Sequence, residues 1–287
     1  MKTIKEYCIK NIIELFNYKQ RPFGWQSNYD VQALLSIADF RAVNTEIPEE
    51  IDRVHIIEAI RNQKYYQAYA EILFWGLIGM RPGSNKSKRT EIAKTALSHP
   101  EAQINNIFKT IEVGDAEGIK KLYLSLEQGG GAKIPEVDVS YFTKLLAFGS
   151  EAFENDRKLL IYDKWTKLIH VHLLLEQGQN EFLYSLYTPT GLSKLWSKKA
   201  KAKSCSTDII YPRTNKGYYA YIDYCRRMNA LADEISYETD TAFKVYQLES
   251  FLFGHQLRSK ENKVSSNPRY WIQQNYSKEY APLIASL

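Results

Sequence analysis

The chain has 287 residues, 44% hydrophobic and 25% charged, the ordinary composition of a soluble globular protein. No apolar run reaches the roughly 20 residues a bilayer demands, so no membrane association is expected. Three scattered cysteines (Cys8, Cys205 and Cys225), with neither CxxC nor metal-ligand spacing, argue against a disulfide framework and for reduced thiols in the cytoplasm.

The net charge of +5 is a mild pointer to a polyanionic partner, and two segments concentrate it. These are Arg81 to Arg89 (RPGSNKSKR) and Ser193 to Ser204 (SKLWSKKAKAKS). Each would neutralise several phosphates if it faced DNA, and each would serve equally as a solvated loop. Twenty-one tyrosines and twelve phenylalanines suit a helical core, and also suit stacking on bases drawn out of a duplex.

Helical periodicity dominates in chain order. Residues 2–18 place Ile4, Cys8, Ile12 and Leu15 on one stripe; the lysines and glutamate among them mark a helix rather than a signal peptide. Arg21-Pro22-Phe23-Gly24 closes it. A helix over 29–43 follows, then a turn from Asn44 to Pro48, then helices over 49–61, with Ile51, Val54, Ile57 and Ile60, and 63–80. The basic loop 81–89 leads to a helix ending near Leu97, and short amphipathic helices span 101–112 and 115–127. Gly129 to Gly131 form a hairpin before a helix over 137–148, and another helix spans 164–177. Residues 180–190 read as helix or loop, and only Ser206 to Tyr211 looks extended. Long helices at 217–235 and 239–256 precede a polar tail over about 259–287. With no repeat and no clear linker, one all-α unit over 1–287 is expected.

The most informative stretch runs from Asp115 to Trp165. Helix DAEGIKKLYLSLEQ, three glycines, Ala132-Lys133 and Ile134-Pro135 lead into VDVSYFTKLLAF. Gly129, Gly130 and Gly131 would let backbone N–H groups approach a phosphate, with the dipole of the next helix adding to the attraction. The plainer reading is that Gly129 caps a helix ahead of a loop.

GGGAK, followed by SYFTKLLAF and LLIYDKW, resembles the hairpin, second helix and Asp-led helix of 8-oxoguanine DNA glycosylases of the helix-hairpin-helix superfamily, and is most similar to prokaryotic proteins of that fold. ILFWGLIGMRPGS and KVYQLESFLFG resemble the family's internal Trp-Gly segment and its final helix, so the resemblance covers about 65–255 in patches. It implies a two-lobed helical fold with a helix-hairpin-helix at about 115–148. It also implies a DNA N-glycosylase that flips an oxidised or modified base from a duplex and cleaves its N-glycosidic bond, in DNA repair or anti-phage defence, with a protein partner in the latter case. No cofactor and no metal are implied.

Asp163 matches the aspartate that stabilises charge on the sugar, and it also stands at the N-cap of its helix. The lysine nucleophile of a glycosylase with lyase activity has three candidate positions. Lys133 follows the glycines; alignment on the helix puts the expected lysine at Val137; Lys144 lies among aromatics on a face where reaching for solvent is the default. Lysines 198, 199 and 201 are the candidate phosphate contacts. Trp25, Trp75, Trp165, Tyr141 and Phe142 are candidates for stacking on a flipped base. His170 and His172 point in different directions on a helix, which argues against a metal. Gln247 and Glu249 resemble the family's terminal acidic position and read as a structural contact.

Two other readings remain open at this point. Val137 in place of the lysine suggests a fold-retaining protein that binds nucleic acid or a nucleotide without cutting. The tyrosine count also suits a helical protein-interaction scaffold.

Overall fold

The structure, a computed structural model, describes residues 3–18, 22–80, 83–127, 132–187, 212, 216–253 and 271–272. Among these residues the fold is all-α, apart from one pair of two-residue strands and a bridge between Tyr187 and Pro212. The chain divides into two compact units: Gln20–Ile161, and Met1–Lys19 together with Tyr162–Leu287.

The split unit begins with α1 (Ile4–Lys10) and α2 (Ile12–Asn17), which replace the single helix expected over 2–18. The break falls at Asn11, whose side-chain amide donates to the Tyr7 carbonyl at 2.7 Å and competes with the helical pattern. The apolar stripe runs on regardless, with Ile4, Cys8 and Leu15 wholly buried.

The continuous unit opens on β1 (Phe23–Gly24), α3 (Val31–Leu34), α4 (Ala38–Val43) and β2 (Glu50–Ile51). Two short helices stand where one was expected over 29–43, and β1 pairs antiparallel with β2, Phe23 opposite Ile51. Next come α5 (Arg53–Arg61), α6 (Tyr65–Trp75), α7 (Lys86–Leu97), α8 (Glu101–Val113), α9 (Ala116–Leu126) and α10 (Val139–Ala152). Helix α7 begins inside the expected basic loop, because the Asn85 side chain caps it by accepting from the Lys88 amide at 2.9 Å.

Helix α6 is the axis of this unit. Every residue from Tyr65 to Trp75 is buried, as expected of a helix that is apolar on all sides, and α4, α5, α8 and α10 pack on it. Its tyrosines account for part of the aromatic excess. Tyr66 and Tyr69 donate to the carbonyls of Leu97 and Ala96 in the last turn of α7. Gln67 and Glu71 face each other one turn apart: the Gln67 amide donates to Glu71 Oε1 at 2.8 Å. The second carboxyl oxygen of Glu71 and the amide oxygen of Gln67 have no hydrogen-bond partner among the described residues. Burial raises the Glu71 carboxyl to about 7, with the Gln67 hydrogen bond opposing, Asp52 adding and Lys64 opposing.

Helix α8 ends at Gly114, whose φ of +67° suits glycine. Asp115 then caps α9 by accepting from Gly118 N at 2.8 Å, which leaves Ile119, Leu122, Tyr123 and Leu126 buried on one stripe as the sequence predicts. Val54, expected on the buried stripe of its helix, is 59% exposed.

The rest of the split unit comprises α11 (Lys164–Glu176), α12 (Asn180–Leu186), α13 (Gly217–Thr239) and α14 (Val245–Phe253). Helix α13 runs to Thr239 and turns at Asp240, which adopts φ +48°, so the last helix starts later than expected. The Glu176 carboxylate accepts from the first amide of α1 at 2.8 Å, tying the two chain segments together. No described helix is long and apolar enough to cross a membrane.

Candidate active site

Asp163 sits at the N-cap of α11 with extended backbone, so its side chain folds back over the first turn. Its Oδ1 accepts from the amides of Trp165 at 2.7 Å and Thr166 at 3.1 Å, while Thr166 Oγ1 accepts from the Asp163 amide at 2.8 Å. This capping box fixes the carboxylate from both sides. Oδ2 takes no hydrogen bond among the described residues. The residue is 9% exposed, so the group is sheltered from bulk water.

Immediately before it, Tyr162 is wholly buried and enters a polar chain in the same unit. The Tyr162 hydroxyl bonds that of Tyr187; Tyr187 OH lies 2.6 Å from His170 Nδ1; His170 Nε2 lies 3.0 Å from Asp223 Oδ2. Arg226 donates to Asp223 Oδ1 at 2.6 Å and Arg227 donates through Nε to Oδ2. Arg227 also reaches the side-chain oxygens of Gln177 and Gln179. Burial alone would raise the Asp223 carboxyl, but hydrogen bonds from His170, Arg226 and Arg227 outweigh it and hold it well below the usual carboxylate range. Burial pushes His170 down despite Asp223, so the imidazole is neutral. An ionised carboxylate only accepts, so Nε2 carries the proton and Nδ1 accepts, facing the hydroxyls of Tyr187 at 2.6 Å and Tyr162 at 3.4 Å. The sequence reading missed this chain, having weighed His170 only as a metal ligand. Among the described residues no group of three or more His, Cys, Asp or Glu could hold a metal. Burial also drives His172 far below its ordinary value.

The lysine candidates separate in the other unit. Lys133 is exposed and Val137 is buried. Lys144, expected to reach for solvent, is only 4% exposed. Its helix explains the difference: α5, α6 and α8 pack on α10, and every residue from Phe142 to Ser150 is buried, so no face of that stretch leads to water. Lys144 Nζ donates to the Ser140 carbonyl at 2.7 Å and to Ser140 Oγ at 3.0 Å, and lies 4.9 Å from the centre of the Tyr141 ring. Tyr141 in turn donates to the Gly76 carbonyl at 3.1 Å. A Cβ on Gly76 would lie 2.9 Å from the Tyr141 ring, so the glycine of the Trp-Gly segment gives the ring its place.

The stacking candidates divide as well. Trp25, Trp75 and Phe142 are core: Trp25 stacks on Phe74 at 4.4 Å and donates to the Pro48 carbonyl, Trp75 meets Phe148 edge-on, and Phe142 meets Tyr123 edge-on. Tyr141 and Trp165 are half-buried. Glu249 is buried within α14, in keeping with a structural contact. Gly129, Gly130, Gly131, Lys198, Lys199 and Lys201 lie outside the described residues. From the first basic segment, Lys86 and Lys88 are exposed on the first turn of α7.

Residues 19–253 match a family model described as "Putative 8-oxoguanine DNA glycosylase OGG-like protein". No curated protein matches, and no solved structure does.

Proposed function

This chain belongs to the 8-oxoguanine DNA glycosylase OGG-like family, and on that premise we propose that it is a DNA N-glycosylase acting on an oxidised or otherwise modified base. The observation that carries the reading is the Asp163 carboxylate. It is sheltered, locked by its capping box, and its Oδ2 takes no hydrogen bond among the described residues. A fixed negative group in a water-poor setting suits an oxocarbenium-like sugar, on which positive charge grows as the C1′–N bond breaks and the electron pair leaves with the base. Two amides already satisfy Oδ1, so the group reaches its working orientation without reorganising at the moment of reaction.

A water or an amine then bonds to C1′. Of the two lysines that are candidates for the amine, Lys144 is the desolvated one and Lys133 lies in solvent. The exposed Lys86 and Lys88, on a helix N-terminus whose dipole repels them, suit a phosphate of the DNA backbone.

The test is excision from labelled duplexes that each carry a single modified base, 8-oxoguanine first, followed by alkali. The expected result is alkali-labile abasic product with one base, and a loss of roughly a hundredfold or more in Asp163→Asn. No abasic product with any base, or full activity in Asp163→Asn, overturns the reading. Borohydride trapping assigns the amine: a covalent adduct lost in Lys144→Gln and kept in Lys133→Gln supports Lys144, and the reverse pattern refutes it.

A further inference from the structure

We propose that the buried chain Asp223–His170–Tyr187–Tyr162 is a positioning device for the Asp163 carboxylate, a role that rests on the reading of Asp163 given above. One end of the chain is covalently next to that residue. The capping box orients the carboxylate relative to α11, but it does not fix the segment that delivers Asp163 to the helix. Tyr162 does that: its ring lies against Tyr221 and Tyr224, at 5.7 and 5.4 Å between centroids, and its hydroxyl joins the hydrogen-bonded network.

Asp223 can only accept, so His170 donates from Nε2 and accepts at Nδ1, on which the hydroxyls of Tyr187, at 2.6 Å, and Tyr162, at 3.4 Å, converge. Tyr162 OH meets both Tyr187 OH and His170 Nδ1, so the network ties the segment at 162 to two other side chains. Its members come from α11, from the residue following α12 and from α13, so three segments converge on one residue. Tyr162, His170 and Tyr187 are wholly buried, and Asp223 and Arg227 nearly so. Burying that many polar groups is seldom the cheapest way to fill a core; apolar residues of equal volume commonly serve stability as well or better. A unique geometry is what such a network adds, and here it reaches the residue next to Asp163 in the chain.

The experiment uses the full chain and Tyr187→Phe, which keeps the ring and removes only the hydroxyl. The amides of Trp165 and Thr166 bond Asp163 Oδ1 and so report where the carboxylate is. Their hydrogen exchange is compared with that of interior amides of α13. The expected result is exchange at least tenfold faster at Trp165 and Thr166 than the change seen across α13. On the duplex that the wild type cuts, the single-turnover rate should fall tenfold or more at unchanged duplex affinity. Tyr69→Phe, which removes a buried hydroxyl of the other unit, should move neither readout. Equal changes at the reporter amides and across α13 overturn the proposal, because the chain is then ordinary core; a wild-type single-turnover rate in Tyr187→Phe overturns it too. If the wild type cuts no duplex, the glycosylase reading fails by itself, and the exchange ratio still decides whether the chain holds Asp163.

Discussion

Each unit buries a carboxylate, and the two meet the cost in opposite ways. In the split unit Asp223 stays ionised because His170 and two arginines converge on it, and its pKa is held down. In the continuous unit Glu71 has one amide donor and no cation in contact, and its pKa rises to about 7. The first solution builds a rigid network; the second lets the group give up its charge, so that a proton on the second oxygen turns an unpartnered acceptor into a donor. A charge kept in a core implies a geometry worth keeping, and only the network adjoins the candidate catalytic residue.

The comparison breaks first at Asp223. Asp223→Ala leaves the Arg227 guanidinium, 5% exposed, without a counter-charge, and should cost about 3–5 kcal/mol in urea unfolding. A loss under about 1 kcal/mol would show that the network contributes nothing to holding the unit together.

Glu71 sharpens the contrast through pH. The unfolded carboxyl titrates near the model value of 4.5 and the folded one near 7, so the native state binds the extra proton between those values. Stability from this group is complete below about 4.5, falls as pH rises through 7, and totals about 3 kcal/mol. Asp223, with a depressed pKa, has the opposite sign: its contribution stands above the unfolded carboxylate range and is lost only in stronger acid. Buried His170 and His172, both lowered, also oppose Glu71, because the unfolded chain takes up protons below about 6.5 where the native state does not. Glu71→Gln isolates the carboxyl, since subtracting the wild-type curve removes the histidines. The variant should match the wild type near pH 4.5 and gain on it up to a plateau above pH 7. A difference that is flat with pH would mean Glu71 titrates normally.

What the sequence revealed follows the range of the interaction. The cap at Asp163 is local: a short acceptor just before an apolar 3.6 period predicts it, and the structure has it, as it has the same device at Asp115, read from the sequence only as the start of its helix. The buried stripes of α1 and α9 were legible in the same way. The break at Asn11 was hidden because the apolar stripe continues through it, and two-residue strands carry no alternation to detect. Lys144 was placed on an outer face because one stripe was assumed for α10, whereas neighbours cover the helix nearly all round. The Asp223–His170 bond joins residues 53 apart, and no local pattern encodes such a partner. Gln67 and Glu71, one turn apart, were within reach of a sequence reading, but the strong apolar signal of their helix masked them.

The smallest effect tests whether the continuous unit has its own precise geometry around Lys144. Gly76 has φ −74°, which any residue tolerates, so Gly76→Ala demands no unusual φ, though its Cβ would also lie 3.0 Å from the Ile72 carbonyl oxygen. What it adds is a methyl group 2.9 Å from the Tyr141 ring, and the ring must give way. Overpacking of this kind costs about 1–3 kcal/mol. The ring also loses its bond to the Gly76 carbonyl and its place over the lysine, so the borohydride-trapped adduct should fall severalfold while Lys133→Gln leaves it intact. Adding Tyr141→Phe to Gly76→Ala then distinguishes the two contacts. If the hydroxyl bond matters, Tyr141→Phe alone reproduces the loss of adduct; if the ring face matters, it does not, and only the alanine does. Wild-type adduct in both variants would show that the Tyr141 contacts do not matter to the trapped amine, and the precise geometry would belong to the Asp163 unit only.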